Sequence, residues 1–297
     1  MANCGNWPVG FDPLIDIGQS GYQGFAGGKY PFGNHRPPAY EARGVDFAAH
    51  VLPLDANGDI NPADGKIVLA ILGTSATNII APHFTAAVAE RQPDAVNPQL
   101  VIVNLAKDGK TIDEIADPND GYWQNWIPNK LAAAGITSAQ VQCVWMQSGE
   151  RDPPTPFPAH ALTSKGYWTA AVANAKATLP NLRMAWLSPP LFEGYAQPPL
   201  AVPEPAYGEQ GFAVKWAIED YINGFMPAVP FLSYGFYPWA GPTPRSDGFS
   251  WPCPASVQAD GRHPSAAGAD AIASAMLVEF LRDPCAAGWF SKMSAQT

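Results

Sequence analysis

The stretch that decides the fold is Lys66–Leu72, KIVLAIL, which is continuously apolar after its first residue and ends at Gly73-Thr74-Ser75. Similar short apolar runs recur along the chain, at 100–105 (LVIVNL), 141–146 (VQCVWM), 182–187 (LRMAWL) and 231–236. Segments with helical spacing separate them, at 79–91, 123–134, 165–177, 212–225 and 266–281. Apolar strands that alternate with helices indicate right-handed βαβ crossovers and a parallel sheet covered on both faces. We therefore predict an α/β protein, a three-layer α/β/α sandwich with a mostly parallel, flavodoxin-like central sheet.

The chain shows no internal repeat and no low-complexity tract, so a single domain over residues 1–297 is the economical interpretation. Residues 1–65 differ from the rest, because they are rich in glycine, proline and aromatic residues. Linkers rarely carry so many aromatic side chains, which favours an irregular N-terminal extension packed on the domain. Within it, Asp46–Leu54 is predicted to form a short strand.

The charge balance limits the classes of partner. The 297 residues contain 17 Lys and Arg against 26 Asp and Glu, a formal net charge of -9. An acidic surface repels phosphate backbones, so nucleic-acid binding is not expected. There is also no apolar stretch of 18 residues, so we expect no membrane span. The N-terminus lacks a basic and an apolar leader region, but a leader replaced by Met1 would look the same. Localisation stays open, with a secreted or periplasmic protein favoured, and the oligomeric state is unknown.

The four cysteines, Cys4, Cys143, Cys253 and Cys285, lack CxxC spacing, which argues against zinc and thioredoxin-like sites. Cys143 lies within an apolar strand run and is expected to be a buried thiol. Cys253 and Cys285 flank the last helix and form a possible disulfide if the fold brings the helix ends together. The sequence cannot give the distance between their Cα atoms, so this pairing and its absence stay equally open.

Ligands of open parallel sheets bind beyond the carboxyl ends of the strands, so the residues that follow each strand are candidate site residues. Ser75 follows the first strand at the start of a helix, where free backbone N–H groups can receive negative charge. Gly109 follows the second strand and Gln147 the third, and both could donate to the same oxyanion. Glu150 and Asp152 could orient neighbouring groups. Taken singly, each residue has an ordinary structural explanation, such as a helix cap or a turn.

The segment Asp260-Gly-Arg-His263-Pro-Ser265, which leads into the last helix, supplies the remaining catalytic types. A histidine that serves as a general base needs an acceptor on its other ring nitrogen. Asp260, three residues earlier on the same turn, can fold back to provide it. The joint occurrence of Ser75, Gly109, Gln147 and an Asp-x-x-His element predicts nucleophilic acyl chemistry. No Gly-x-Ser-x-Gly elbow follows an apolar strand, which argues against a standard α/β-hydrolase.

From about Lys66 onward these motifs resemble those of the SGNH (GDSL-like) hydrolase superfamily. Gly73-Thr74-Ser75 corresponds to its first block, with Thr74 in place of the usual Asp. The segment around Gln147 is similar to Trp-x-Gln-Gly-Glu-Ser-Asp of carbohydrate acetylesterases and sialate O-acetylesterases, with Ser148 as an extra residue. The resemblance implies Ser75 as nucleophile, His263 as base and Asp260 as its orienter. It also implies an oxyanion hole of Ser75, Gly109 and Gln147, and no metal or organic cofactor.

The aromatic residues of the loops favour a small-molecule or polysaccharide ester as substrate, because sugars stack on aromatic rings. The possible stacking residues are Tyr22, Phe25, Tyr30, Trp123, Trp126, Tyr237 and Trp239. The leading hypothesis is removal of short acyl groups, above all acetyl, from carbohydrate esters. A general aryl or short-chain lipid esterase is the second hypothesis. A non-catalytic carbohydrate-binding protein on a degenerate scaffold of the same family is the third, and a structural or interaction module is the fourth.

Overall fold

The computed structural model of the chain describes residues 1–151, 154–200, 202–226 and 230–292. Its centre is a sheet of five strands that pair only in parallel, which confirms the predicted α/β/α class. The strands are β1 (Ile67–Gly73), β2 (Leu100–Asn104), β3 (Val141–Gln147), β4 (Met184–Ser188) and β5 (Phe231–Tyr234). All residues of β1, β3, β4 and β5 are buried, as expected for strands covered on both faces.

The helices follow the predicted alternation. They are α1 (Leu14–Ile17), α2 (Pro38–Ala49), α3 (Ser75–Arg91), α4 (Ile112–Ile115), α5 (Ile127–Ala133), α6 (Ala159–Thr178), α7 (Ala206–Ile222), α8 (Ala266–Arg282) and α9 (Pro284–Phe290). Tyr122–Trp126 adds one π-helical turn before α5, and Ser138–Gln140 adds one 3₁₀ turn before β3. Helices α3, α8 and α9 pack together through aromatic rings, and α6 packs along α7. Among the helices of the described residues, none combines the length and the apolarity that a membrane crossing requires.

The strand order is β2-β1-β3-β4-β5, the flavodoxin-like order. The chain reverses its direction of travel across the sheet between β1 and β3, and this switch point opens a crevice at the carboxyl ends of the strands. Ser75, Gly109 and Gln147 follow or end the three strands around the crevice. The topology therefore places the predicted site residues at one edge of the sheet.

The N-terminal region contains more helix than predicted. Residues 46–49 belong to α2, so the predicted strand at Asp46–Leu54 is wrong. The helix starts at Pro38, a residue whose fixed φ angle suits a first helical turn. The region also covers the outer edge of the sheet at β5. There the Tyr30 hydroxyl accepts from the Tyr234 N–H, and the Tyr40 hydroxyl donates to the Leu232 carbonyl. Two tyrosines thus satisfy edge-strand groups that would otherwise be left for another chain to pair with.

The cysteine pairing differs from the possibility drawn from the sequence. Cys253 forms its disulfide with Cys4, whose Cα lies 5.2 Å away. Cys253 is therefore not available to Cys285, and the possible pairing of Cys253 with Cys285 is wrong. Cys285 is a buried free thiol whose pKa burial raises to about 12. Cys143 is buried and free, as predicted.

Candidate active site

Ser75, His263 and Asp260 form one chain of hydrogen bonds, although Ser75 and His263 are 188 residues apart in sequence. The Ser75 Oγ lies 2.8 Å from His263 Nε2, and His263 Nδ1 lies 2.6 Å from Asp260 Oδ2. Because Nδ1 faces a carboxylate, it carries the proton of the neutral ring, and Nε2 is then the acceptor for the serine hydroxyl. This arrangement can remove a proton from Ser75 during attack on an acyl group.

Local chemistry shapes the turn that carries Asp260 and His263. The Asp260 Oδ1 accepts from the backbone N–H groups of Arg262 (3.0 Å) and His263 (3.1 Å), so one carboxylate holds both the turn and the ring. Gly261 adopts a φ of 72°, and a Cβ there would lie 2.1 Å from the Tyr195 carbonyl oxygen. Only glycine fits this position.

The Asp260 carboxylate remains charged over a wide pH range. Partial burial alone would raise its pKa, but the hydrogen bonds from the His263 ring and the two backbone N–H groups outweigh burial and lower it. An ionised carboxylate is the state that stabilises a protonated imidazole during the reaction.

Ser75 is the first residue of α3, and its position depends on a close contact between β1 and β3. Gly73 ends β1 with a φ of 150°, and a Cβ there would lie 2.0 Å from the Gln147 carbonyl oxygen. Thr74 precedes the helix with an extended backbone. The first N–H groups of a helix have no intrahelical acceptor, so the N–H of Ser75 is free to donate to an oxyanion.

The two further oxyanion donors predicted from the sequence line the same cavity as Ser75. Gly109 turns the chain after β2 with a φ of 74°. The buried Gln147 amide is held in place, since its Oε1 accepts from the Thr77 hydroxyl and its Nε2 donates to the Pro189 carbonyl at 3.3 Å. One N–H of the Gln147 amide therefore has a partner outside the cavity, which leaves the second for a ligand.

The cavity at Ser75 has a volume of about 460 Å³. Its apolar wall is formed by Ala76, Pro190, Leu191, Val202 and Tyr207. Its polar wall is formed by Thr74, Asp108, Thr111, Glu150, Arg151, Glu193 and Arg262. The volume lies within the range of small-ligand sites, and the mixture of ionic side chains suits a ligand with many hydroxyl groups better than an alkyl chain.

Three of these polar residues form contacts that the sequence did not predict. The Arg262 Nε lies 3.0 Å from the Glu193 carboxylate, which ties the turn of His263 to the loop after β4. Burial raises the pKa of Glu193, against the lowering effect of Arg262. Arg151 is half-exposed, and its Nη2 donates to the Gly109 carbonyl at 2.9 Å. The sequence offered one indication that Arg262 lies at this site, namely its position between Asp260 and His263.

Glu150 and His160 form a second acid–imidazole pair, which sequence reasoning missed. Glu150 Oε1 lies 2.6 Å from His160 Nε2, and both side chains are almost completely buried. Glu150 also lines the cavity at Ser75. The sequence placed Glu150 at a strand end but gave His160 no context, although it stands only ten residues later at the start of α6. Asp152, predicted beside Glu150, lies outside the described residues.

The seven aromatic residues predicted as stacking surfaces do not line the cavity at Ser75 in the part of the chain that the structure describes. Tyr30, Trp123, Tyr237 and Trp239 are exposed by 4% or less. Tyr22 and Trp126 are half-buried, and Phe25 is exposed on the surface. These seven residues therefore do not form the wall next to Ser75, and their contact with a sugar stays a prediction.

Comparisons with known proteins add little to this geometry. No protein-family model and no curated protein sequence matches the chain. Among solved structures, a putative acylhydrolase from Bacteroides fragilis is similar with 12% identity and a TM-score of 0.38, over 84% of this chain and 100% of that one. The periplasmic domain of a lipopolysaccharide acetyltransferase from Salmonella ser. Paratyphi A is similar with 15% identity and a TM-score of 0.40, over 79% of this chain and 92% of that one. Likenesses of this degree carry no argument about activity.

Proposed function

We propose that this protein is a serine ester hydrolase that removes short acyl groups, above all acetyl, from carbohydrate esters through an acyl-enzyme. The observation that carries the proposal is the hydrogen-bonded chain from the Ser75 hydroxyl through the His263 ring to the Asp260 carboxylate, at 2.8 and 2.6 Å. Ser75 and His263 line a cavity large enough for an acyl group and part of its alcohol. The SGNH-like motifs of the sequence support the same reaction.

In the first half of the proposed reaction, the Ser75 Oγ attacks the ester carbonyl while His263 Nε2 takes the hydroxyl proton. Negative charge then develops on the carbonyl oxygen, and the N–H groups of Ser75 and Gly109 with the Gln147 amide receive it. The C–O bond to the alcohol breaks, and the protonated His263 returns the proton to the leaving oxygen. The products are the free alcohol and an ester between the acyl group and Ser75.

In the second half, a water molecule takes the place of the alcohol. His263 removes a proton from this water, and the resulting hydroxide attacks the acyl carbon. The bond to the Ser75 Oγ breaks, the oxygen recovers a proton from His263, and the carboxylic acid leaves. Asp260 stays ionised throughout and stabilises the imidazolium in each half.

The choice of a carbohydrate alcohol follows from the polar wall of the cavity. Carboxylates such as Asp108 and Glu193 accept hydrogen bonds from hydroxyl groups, and the guanidinium groups of Arg151 and Arg262 donate to hydroxyl oxygens. A long acyl chain would need an extended apolar wall. The apolar wall of this cavity consists of a few side chains, among them Leu191 and Val202, within a volume of about 460 Å³, which favours a small acyl group.

The test compares Ser75→Ala with Ser20→Ala as a matched control. Ser20 stands in Gly18-Gln-Ser20-Gly21, is exposed, and donates only to the nearby Ile17 carbonyl. We expect Ser75→Ala to lose activity on acetylated xylan and on aryl acetates by about 10³-fold or more, with its circular dichroism unchanged, and Ser20→Ala to match the wild type. A fluorophosphonate probe should label the wild type and Ser20→Ala but not Ser75→Ala.

The outcomes separate the competing functions. Unchanged turnover in Ser75→Ala would refute the assigned nucleophile. Efficient hydrolysis of long acyl esters without turnover of acetylated sugars would instead identify a lipid esterase. Absence of both turnover and labelling in the wild type would favour a carbohydrate-binding protein without catalysis.

A further inference from the structure

A chain of three polar side chains ends at the cavity of Ser75. Asn104, the last residue of β2, donates through its Nδ2 to the Oδ1 of Asn78 at 2.8 Å. The Nδ2 of Asn78 donates in turn to Asp108 Oδ1 at 2.9 Å. Asp108 lies in the loop after β2 and lines the cavity next to Gly109. The steps of the proposed reaction do not involve these three side chains.

The direction of the hydrogen bonds in this chain is fixed at its far end. The backbone N–H of Ala106 donates to Asn104 Oδ1 at 3.0 Å, so this oxygen faces Ala106 and the Nδ2 group faces Asn78. For the same reason, Asn78 turns its Oδ1 toward Asn104 and its Nδ2 toward Asp108. A backbone N–H can only donate and an ionised carboxylate can only accept, so neither amide can be reversed.

The chain holds the Asp108 carboxylate close to the nucleophile. Asn78 stands three residues after Ser75 on α3, and residues at this spacing share one face of a helix, with Cβ atoms about 5–6 Å apart. The backbone N–H of Lys107 donates to the Gly73 carbonyl at 2.9 Å, which ties the loop of Asp108 to the end of β1. A carboxylate in this place is in reach of the part of a substrate that lies near the ester bond.

One oxygen of Asp108 is available to a ligand. The residue is exposed, and Asn78 holds its Oδ1, whereas its Oδ2 has neither a hydrogen bond nor an ion pair with the described part of the chain. The other two carboxylates of the cavity wall, those of Glu150 and Glu193, are each paired with a basic side chain. Asp108 can therefore accept a hydrogen bond from a substrate without the loss of an ion pair within the protein.

We propose that Asp108 is a specificity-determining residue, which accepts a hydrogen bond from a hydroxyl group of the leaving alcohol on the carbon next to the ester. The acetyl group has no hydroxyl, so the donor must belong to the alcohol. A hydrogen bond to a charged acceptor is stronger than one between neutral groups. An alcohol that lacks this hydroxyl loses the bond in the transition state, which lowers kcat/KM.

This inference rests on the proposed function and deepens it, because it names the feature by which the alcohol is selected, a vicinal diol. The test uses two esters that differ by one hydroxyl group, trans-2-hydroxycyclohexyl acetate and cyclohexyl acetate. The variant is Asp108→Ala, and Asp117→Ala is the matched control. Asp117 is also exposed and accepts one hydrogen bond, from the Asn119 N–H at 2.9 Å, but it does not line the cavity.

The quantity measured is the ratio of kcat/KM for the hydroxylated ester to kcat/KM for cyclohexyl acetate. We expect a ratio of about ten or more in the wild type and in Asp117→Ala, which is the effect of a hydrogen bond to a charged group. The ratio should be at least about fivefold lower in Asp108→Ala.

An equal ratio in the wild type and Asp108→Ala would overturn the inference, and so would a ratio near one in the wild type. Failure of the wild type to hydrolyse the hydroxylated ester while it turns over an aryl acetate would overturn it as well. Absence of aryl acetate turnover in the wild type would instead refute the proposed function, so the two failures are seen separately.

Discussion

The substitution Asp260→Asn tests whether the Asp260 carboxylate sets the protonation of the His263 ring. In the wild type, Oδ1 accepts from two backbone N–H groups and Oδ2 accepts from His263 Nδ1. An asparagine that keeps its oxygen on the backbone N–H groups must turn its NH₂ group toward Nδ1. An NH₂ group only donates, so Nδ1 becomes the acceptor and the ring proton moves to Nε2. The nitrogen that faces Ser75 then cannot take the serine proton.

The size of the effect follows from the environment of Asp260. Loss of the correct tautomer in a buried triad costs about 10⁴ in kcat. The Asp260 side chain is 47% exposed, so water can reach the ring and partly restore the productive tautomer. We therefore expect a smaller loss in kcat/KM, about 10² to 10³, which corresponds to roughly 3–4 kcal/mol of transition-state stabilisation. The fold should be retained, because the new side chain has the same shape and the turn keeps its acceptor.

The assay is hydrolysis of an aryl acetate, with Asp270→Asn as the matched control. Asp270 Oδ1 lies 2.6 Å from His83 Nδ1, the same distance as in the Asp260 pair, but neither residue lines the cavity at Ser75. Asp270→Asn should keep full activity. A loss of less than about fivefold in Asp260→Asn, or an equal loss in both variants, would refute the assigned role of Asp260.

Three further predictions concern the scaffold around the site. Without reductant, thiol titration of the unfolded protein should count two free cysteines, and Cys4→Ser, which breaks the bond to Cys253, should lower the free energy of unfolding by about 2–5 kcal/mol in urea titrations. His160→Leu should cost about 3–5 kcal/mol because it leaves the buried Glu150 carboxylate without its imidazole, and a second change, Glu150→Gln, should recover part of this loss. Tyr30→Phe should cost about 1–3 kcal/mol by removing the acceptor of an edge-strand N–H, while aryl acetate turnover stays unchanged. A loss of aryl acetate turnover in Tyr30→Phe, measured while the protein is fully folded, would contradict a purely structural role for Tyr30.

The parts of the fold that were predicted correctly depend on local patterns. The run of apolar residues in β1 is buried along its whole length, and the same holds for β3 and β4, so an uninterrupted apolar pattern was a sufficient signal. The prediction at Asp46–Leu54 failed because its apolar pattern is short and therefore ambiguous. A short apolar pattern there fits a strand or the end of a helix, and the Pro38 start signal lay eight residues upstream within a Gly- and Pro-rich region.

The burial of side chains and the pairing of distant groups could not be predicted in the same way. Seven aromatic residues in loops looked suited to sugar stacking, yet ring chemistry is the same in a core and in a binding site. Cys4 is separated from its partner by 249 residues, and nothing in its neighbourhood indicates Cys253. The Glu150–His160 pair is close in sequence, but only the tertiary structure shows that the two side chains meet.

The sequence by itself determined the α/β class. It also determined which strands are followed by polar residues, and that Ser75, Asp260 and His263 are candidates for acyl chemistry. It could do so because periodicity, glycine conformation and turn chemistry act over a few residues. The tertiary structure decided which strands are neighbours, which cysteines pair and which rings are buried. These features depend on contacts between segments far apart in the chain, since the free energy of such contacts comes from surfaces that exist only once the sheet and helices have packed.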